Sequence, residues 1–294
     1  MRIATLQTEL VSRGLIKSIA DIVISYAEFS FNRVNKLDNN FLEVVAELAD
    51  GRLVFHAANE WASLNLETNA MVTYIENEMY DLVICGKFAV VAIDTVLNFM
   101  DLKTSEHMFQ AKLFWTPHLF STDGSRLLIG NSDGIVQLWH LAPFKVVTTI
   151  EARASGLIGV ALWRNFAALT ISITHIEIWN LESEKLVRVL TTGTVSRTLF
   201  TSTGLLACLR GYAVQVWNIE TGILLSSLEQ QERIYYMAQL CCGKLVVVGQ
   251  EKVELWDLAG KRVATHYVNW YEVVALRNGG LVACVGVGKF ELFD

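Results

Sequence analysis

The chain has 294 residues, of which 52% are hydrophobic and 18% charged, and its 24 basic and 30 acidic side chains give a net charge of -6. Such a composition is too apolar for a disordered chain, and the lack of a clustered basic block argues against nucleic acid as a partner. The longest apolar runs, such as FAVVAI (88–93), are strand-length and far short of the roughly 20 residues of a membrane span, so we expect no membrane-spanning segment.

Five cysteines occur in the chain: Cys85, Cys208, Cys241, Cys242 and Cys284. Their number is odd, no two of them have C-x-x-C spacing, and most lie in apolar runs, where a free thiol behaves as a small hydrophobic group. We therefore expect a reducing compartment, the cytoplasm, with the nucleus as the alternative.

The first predicted element is residues 6–27, LQTELVSRGLIKSIADIVISYA. Its apolar residues recur at the spacing of one helix face: Leu15, Ile19, Ile22 and Tyr26. We predict that residues 1–27 form a short N-terminal helical segment that packs against the side or base of the following domain.

The remainder of the chain, residues 28–294, repeats one unit at intervals of 36 to 40 residues. The marker is a strand such as VQLWHL (136–141), which returns as IEIWNL (176–181) and VQVWNI (214–219). The equivalent positions in the seven copies are Leu64, Met100, Trp139, Trp179, Trp217, Trp256 and Phe293. The first two copies have lost the tryptophan, so a search for the motif alone would miss them.

Each copy contains an apolar strand, a tight turn, a second apolar strand, a polar loop, the tryptophan strand and a fourth strand. Turn sequences such as ADG (49–51) and DGS (123–125) supply the positive φ angles that hairpins need. We predict seven four-stranded antiparallel sheets. Because their strands are nearly continuously apolar, each sheet must be covered on both faces by its neighbours, as in a radial arrangement.

The third copy, FSTDGSRLLIGNSDGIVQLWHL (120–141), resembles the WD-repeat β-propeller family. The resemblance covers residues 28–294 and implies an all-β, seven-bladed propeller. The Gly-His dipeptide that the family carries before each first strand is absent, and Trp256-Asp257 is the one literal Trp-Asp pair. The resemblance implies that the histidine of this dipeptide bonds a loop aspartate and helps to fix the tryptophan, so its absence implies a thinner polar network and more reliance on apolar packing. Asp133 is the one aspartate at the family's loop position.

The last copy ends at Asp294, directly after its tryptophan-type strand. The resemblance implies that an N-terminal strand completes this blade. Residues 28–37, EFSFNRVNKL, match the fourth-strand segments of other copies, and we predict that they pair with residues 290–294 as the closing strand.

No catalytic motif is present, and the six histidines are spaced too widely for two of them to bind one metal from a single element. We therefore expect no metal, no cofactor and no enzymatic activity. The predicted function is a monomeric scaffold for protein–protein interaction, with a protein or peptide partner.

Two alternatives remain open. Residues 6–27 resemble the opening of an F-box, with Gln7 at the proline position, which would imply a substrate adaptor of a ubiquitin ligase. A propeller enzyme could instead gather single residues from several blades at the axial mouth, without any sequence motif.

The partner-binding surface is predicted on one face of the propeller. Loops that join fourth strands to the next first strands, and second strands to third strands, emerge there together. They carry aromatic, arginine and histidine side chains of the kind that dominate interface energetics: Tyr80, Trp115, His118, Arg153, Arg197, Arg210, Tyr212, Arg233, Trp270 and Tyr271. This composition favours a partner segment of acidic character.

Overall fold

The computed structural model describes residues 42–47, 52–57, 60–65, 71–76, 82–104, 106–153, 156–240, 243–249, 252–267, 272–275, 281–284 and 290–293. Within these ranges, side chains are described from residue 83 to residue 265. The predicted helical segment (1–27) and closing strand (28–37) lie outside the described residues, so both remain predictions.

The described residues form seven sheets. Sheet 1 contains β1 (Leu42–Glu47), β2 (Arg52–Ala57), β3 (Glu60–Asn65) and β4 (Met71–Glu76). Sheet 2 contains β5 (Leu82–Cys85), β6 (Phe88–Ile93), β7 (Val96–Asp101) and β8 (His107–Lys112). Sheet 3 contains β9 (Leu119–Thr122), β10 (Arg126–Gly130), β11 (Ile135–Leu141) and β12 (Phe144–Glu151). Sheet 4 contains β13 (Leu157–Trp163), β14 (Phe166–Ile171), β15 (His175–Asn180) and β16 (Lys185–Thr191).

The remaining sheets follow the same order. Sheet 5 contains β17 (Arg197–Phe200), β18 (Leu205–Arg210), β19 (Ala213–Asn218) and β20 (Ile223–Glu229). Sheet 6 contains β21 (Tyr236–Gln239), β22 (Leu245–Val248), β23 (Lys252–Trp256) and β24 (Arg262–Tyr267). Sheet 7 contains, among the described residues, β25 (Glu272–Ala275), β26 (Leu281–Cys284) and β27 (Phe290–Phe293). Strands lie side by side in chain order within every sheet, and the all-β prediction is confirmed.

The repeat register is also confirmed, because every marker position lies on the third strand of its sheet. Met100 faces Ala89 on β6 as Trp139 faces Leu127 on β10, one residue after the start of the second strand in both cases. A β-bulge between the third and fourth strands falls directly before Met100, as it does before the tryptophans of sheets 3, 4 and 5. The spacing therefore identified an equivalent position that has no tryptophan.

The second strand of each sheet with described side chains is buried along nearly its whole length. Val90 on β6 and Leu128 on β10 are inaccessible to solvent, as is Ala168 on β14. The apolar clusters lie between consecutive sheets: one joins sheets 2 and 3, one joins sheets 3 and 4, and one joins sheets 4 and 5. Both faces of an inner sheet therefore contribute to core packing.

The chain divides into two compact units. In the unit formed by residues 80–237 and 256–262, the first strands β5, β9, β13 and β17 lie next to one another in that order. In the unit formed by residues 1–79, 238–255 and 263–294, β25 lies beside β22 and also beside β1. The first and last sheets of the chain are therefore neighbours.

Two of the tryptophan indoles donate to a polar residue on their own strand, whereas the buried indole nitrogen of Trp217 has no hydrogen-bond partner. Trp179 Nε1 donates to Glu177 Oε2 at 2.8 Å, and Trp139 Nε1 donates to Gln137 Oε1 at 3.2 Å. A polar residue two positions before the tryptophan thus accepts the indole proton in these two sheets. These two indoles therefore have a hydrogen-bond acceptor although the family's Gly-His dipeptide is absent.

The residue after the marker position shapes the turn into the fourth strand. Asn180 Oδ1 accepts backbone N–H bonds from Glu182 and Ser183, and Asn218 makes the same pair of bonds in sheet 5. Asp101 does so in sheet 2. A short side chain with a terminal oxygen suffices for this turn, so an asparagine can replace the family's aspartate.

A second repeated contact joins four of the fourth strands to the next sheet. The residue nine positions after the marker reaches the turn between the third and fourth strands of the following sheet, or the residue that ends that turn. The four described pairs are Phe109 stacked on Phe144, Thr148 with Glu184, Arg188 with the carbonyl of Glu220, and Ser226 with the carbonyl of Leu258. The residue nine positions after the marker thus contacts the next sheet through aromatic stacking, through a hydrogen bond to a carboxylate or through a hydrogen bond to a backbone carbonyl.

The first prediction concerns the marker position. Trp179→Ala removes packing against the cluster between sheets 3 and 4 and leaves the buried Glu177 without its indole donor, so it should lower the free energy of unfolding by about 3–5 kcal/mol. Met100→Leu nearly conserves volume and should cost less than about 1.5 kcal/mol. Urea unfolding measures both, and equal losses would contradict the register.

Two turn glycines give a matched stability test. Gly124 and Gly204 both connect first to second strands, with φ of 89° and 85°. A Cβ on Gly204 would overlap the ring of Trp163, whereas a Cβ on Gly124 meets nothing. Gly124→Ala should cost about 1–2 kcal/mol from backbone strain, and Gly204→Ala should cost about 1–3 kcal/mol more. Equal free energies of unfolding for the two variants would contradict this prediction, because they would mean that the Trp163 ring moves aside with no loss of stability.

Candidate protein-interaction face

Two sets of loops are joined by backbone hydrogen bonds on one face. In sheet 2, Leu113 N donates to Thr95 O at 2.7 Å, and in sheet 4, Val195 N donates to Ile173 O at 2.8 Å. Gly156 links two sheets, because its N–H donates to Ser132 O and its carbonyl accepts from Ser172 N. We call this surface the loop face; its described residues are 94–95, 113–118, 131–134, 152–153, 156, 172–174, 192–196, 211–212 and 230–235.

The opposite ends of the strands carry tight turns, which we call the turn face. Its described residues in the same unit are 86–87, 102–104, 106, 123–125, 142–143, 164–165, 181–184, 201–204, 219–222 and 258–261. Polar groups on it bond to one another: Arg126 forms an ion pair with Asp123 and donates to the carbonyl of Arg164 at 2.6 Å. Burial alone would raise the pKa of the Asp123 carboxyl, but hydrogen bonds from Arg126 and Ser125 hold that pKa below its ordinary value.

Exposed large hydrophobic side chains are distributed unevenly between the two faces. Apart from those on fourth strands, the exposed ones among the described residues are Phe114, Ile158, Ile173, Tyr212 and Tyr235. Four of these lie on the loop face, and Ile158 is the second residue of β13, beside it. Within the described part of the chain, the loops of the turn face expose none. The loop face and the turn face therefore differ in the hydrophobic side chains that they expose, although both consist of connections between strands of the same sheets.

The ten predicted binding residues differ in whether the structure describes them and in how exposed they are. Tyr80, Trp270 and Tyr271 lie outside the described residues. Trp115 is half-buried and packs against the cluster between sheets 2 and 3, whereas its neighbour Phe114 is fully exposed. The remaining six residues, except Arg210, are exposed: His118, Arg153, Arg197, Arg210, Tyr212 and Arg233.

Four of the predicted residues come together around sheet 5. The turn 211–212, which follows Arg210 and includes Tyr212, is bonded to the loop 230–235 by Gln230 N to Tyr212 O at 2.8 Å and by Ile234 N to Gly211 O at 2.6 Å. The loop that leads to Arg197 is bonded to β18 by Ser196 N to Leu209 O at 3.0 Å. We call the resulting surface the sheet 5 patch: Arg197, Arg210, Tyr212, Arg233, Tyr235 and Tyr236.

Two arginines of the sheet 5 patch lie over tyrosine rings. Arg197 Cζ lies 4.2 Å from the centroid of the Tyr236 ring, and Arg233 Cζ lies 5.8 Å from that of Tyr235. A ring face attracts the guanidinium and limits its motion, but it does not use the N–H groups at the guanidinium edge. Tyr235 and Tyr236 were not among the predicted residues, although two adjacent tyrosines at the start of a strand place one ring on each side of it.

Arg210 lies at the same end of sheet 5 but on the sheet face opposite to Arg197, because Arg197 pairs with Leu209 and successive residues of a strand alternate between faces. Its guanidinium packs against Gly193, whose φ is 81°, and a Cβ at that glycine would overlap Arg210 Nη2. Arg210 Nε is buried and has no hydrogen-bond partner. A Cβ at residue 193 would therefore displace the end of the Arg210 side chain from this position.

The described residues provide no recognisable reaction centre. No three His, Cys, Asp or Glu side chains among them come together in a way that could hold a metal ion. Burial raises the pKa of the Cys85 thiol to about 12 and also raises the pKa of the Cys208 thiol, so both stay protonated at neutral pH. In the part of the chain that the structure describes, no helix is long and apolar enough to cross a membrane.

Comparison with known proteins establishes the fold class. No protein-family model and no curated protein sequence matches the chain. Solved structures do match it: a chain in a crystal structure of a mitotic checkpoint complex superposes with a TM-score of 0.70 at 12% identity, over 85% of this chain and 86% of that chain. At this identity the likeness shows the fold alone. Together with the seven sheets, it supports an all-β fold of the propeller class, with one sheet for each blade.

Proposed function

We propose that the protein is a non-catalytic interaction scaffold that binds a protein partner on the loop face. The observation that carries the proposal is the uneven exposure of large hydrophobic side chains: the loop face exposes Phe114, Tyr212 and Tyr235, while the described loops of the turn face expose none. Exposed hydrophobic side chains gathered on one surface of a folded domain are typical of an interaction site.

The residue types on this face suit a protein partner. Tyrosine and arginine contribute strongly to interfaces because they bury a large area and keep a polar group available. Tyr212 is 60% exposed and Tyr235 is 53% exposed, and the loops beneath them are held by backbone hydrogen bonds. A surface whose loops are already fixed loses little conformational entropy when a partner binds.

Two alternative functions have weaker support. Acid–base catalysis would need titratable groups in contact, but His118 lies against the Thr116 carbonyl and His175 against Thr174 Oγ1, and neither contacts a carboxylate among the described residues. The F-box-like adaptor role depends on residues 6–27, which lie outside the described residues.

Capture of partners from a cell lysate tests the proposal. Charge reversal of Arg197 and Arg233 to glutamate should weaken capture several-fold, because both side chains are exposed on the loop face. The free energy of unfolding should change by about 0.5–1 kcal/mol per site, because each reversal removes an exposed cation–π contact. Arg164→Glu is the matched control for each single reversal, since Arg164 is also exposed and lies over the Trp163 ring at 4.8 Å, but is on the turn face.

Two results would contradict the proposal. Capture that survives the double reversal but falls with Arg164→Glu would move the binding surface to the turn face. Capture that survives both changes but is lost when residues 1–27 are deleted would favour the adaptor role of the N-terminal segment.

A further inference from the structure

We propose that an ordered water molecule is bound between Trp217 and Gln215, in the junction where sheets 4 and 5 pack together. The site lies inside the packed sheets, and the inference does not depend on the proposed function. Its basis is two buried polar atoms without a hydrogen-bond partner, Trp217 Nε1 and Gln215 Oε1. Folded proteins contain few such atoms, and a bound water is a common reason for those that occur.

Both side chains lie on the face of sheet 5 that packs against sheet 4. Trp217 pairs with Leu206 on β18. Gln215 pairs with Cys208 on the same strand. Paired residues share a sheet face, and so do residues two apart on one strand, which places all four side chains together. Three of them belong to the apolar cluster between sheets 4 and 5, and Gln215 is only 8% exposed, so the unpartnered atoms lie between packed sheets.

The equivalent positions in sheets 3 and 4 bond to each other directly. Trp139 Nε1 donates to Gln137 at 3.2 Å, and Trp179 Nε1 donates to Glu177 at 2.8 Å. Sheet 5 has the same residue types as sheet 3 at these two positions, yet the bond is not made. The difference therefore comes from the surroundings of the pair and not from its chemistry.

The loops next to the two junctions differ in the required way. Glu177 also accepts a bond from the backbone N–H of Arg153, in the loop between sheets 3 and 4, at 3.4 Å. Counted from the marker positions, the equivalent residue of the next loop is Gly193, whose φ is 81°. The guanidinium of Arg210 packs against this glycine. An arginine side chain thus approaches the junction of sheets 4 and 5 where a backbone N–H approaches the preceding one.

Other polar atoms of this junction are also left unpaired. Arg210 Nε is buried without a partner, and so is Nε of Arg188, a β16 residue whose guanidinium lies against Gly222 of sheet 5. Within the described residues, the junction of sheets 2 and 3 and that of sheets 3 and 4 contain no buried side-chain atom of this kind. Hydrogen bonding inside the protein is therefore less complete between sheets 4 and 5 than between the sheets before them.

The two atoms determine which kind of group can bind between them. An indole nitrogen can only donate, and a glutamine side-chain oxygen can only accept. One small group that satisfies both must offer an acceptor and a donor, as water does. An anion would face the glutamine oxygen, a cation would face the indole N–H, and an apolar group would satisfy neither. Residues two apart on a strand are about 6.6 Å apart at Cα, so one water can reach both side chains.

Nuclear Overhauser spectroscopy between water and the indole protons of the intact, isotope-labelled protein tests the site. The Trp217 signal is assigned from its loss in Trp217→Phe, and the Trp179 signal from its loss in Trp179→Phe. The Trp217 indole proton should show a cross-peak to water with the sign of a long-lived bound molecule. The Trp179 indole proton, which is bonded to Glu177, should show none and is the matched comparison.

A glutamate at position 215 should remove the water. Gln215→Glu introduces the group that accepts the indole bond in sheet 4, so Trp217 should bond to it directly and lose the cross-peak. Gln137→Glu makes the same change in sheet 3, where the indole bond already exists, and should leave the Trp217 signal unchanged. A crystal structure of the unaltered protein keeps the test valid if a variant does not fold. Its electron density should show a water within about 3.2 Å of both atoms.

Several results would overturn the water site. They are a Trp217 signal without a cross-peak to water, an equal cross-peak at Trp179, a cross-peak that survives Gln215→Glu, and density that shows Trp217 bonded directly to Gln215. Crystals grown with bromide distinguish water from an anion, and an anomalous peak between the two side chains would likewise remove the assignment to water. None of these results bears on the loop face as an interaction surface.

Discussion

The structure depends on one constraint: the second strand of each inner sheet is apolar on both sides and needs cover on both. Val90, Leu128 and Ala168 are completely buried, and the apolar clusters around them draw residues from two consecutive sheets. A single sheet of this composition could not exist alone in water, because one face would stay exposed. Packing between sheets is therefore the interaction on which each repeat depends, and the hydrogen bonds of the turns and loops add to it.

The loop face and the turn face contribute differently to the structure. Among the described residues, the sheets are held together mainly by buried apolar residues and by contacts from four of the fourth strands to the next sheet. On the loop face, the backbone of Gly156 also links sheets 3 and 4. On the turn face, Arg126 and Asp123 bond to each other, and Trp163 packs against Gly204. On the loop face, backbone bonds fix the loops while Tyr212 and the stacked arginines remain exposed. The exposed side chains of the loop face are therefore different from the buried side chains that hold the sheets together.

The sequence was informative where spacing carries the signal. A period of 36 to 40 residues located Met100 as the equivalent of a tryptophan, and the bulge before it agrees. Spacing could not show which aromatic of a tandem pair is exposed, because loop geometry decides that, and so Phe114 was missed beside Trp115. The contacts nine residues after the marker could not be predicted from the sequence either, because phenylalanine, threonine, arginine and serine occupy that position and share no recognisable pattern. Pairing of residues 28–37 with the last strand stays a prediction.

Amide hydrogen exchange of the intact protein, with and without the partner that it captures, tests the central claim most directly. The account predicts slower exchange in the partner-bound protein at residues 192–196 and 230–235, the loops that carry and flank the sheet 5 patch. Residues 181–184 and 219–222, the turns at the opposite ends of the same two sheets, provide the internal comparison and should exchange at unchanged rates. Slower exchange confined to those turns would contradict the account, since it would place the partner on the turn face.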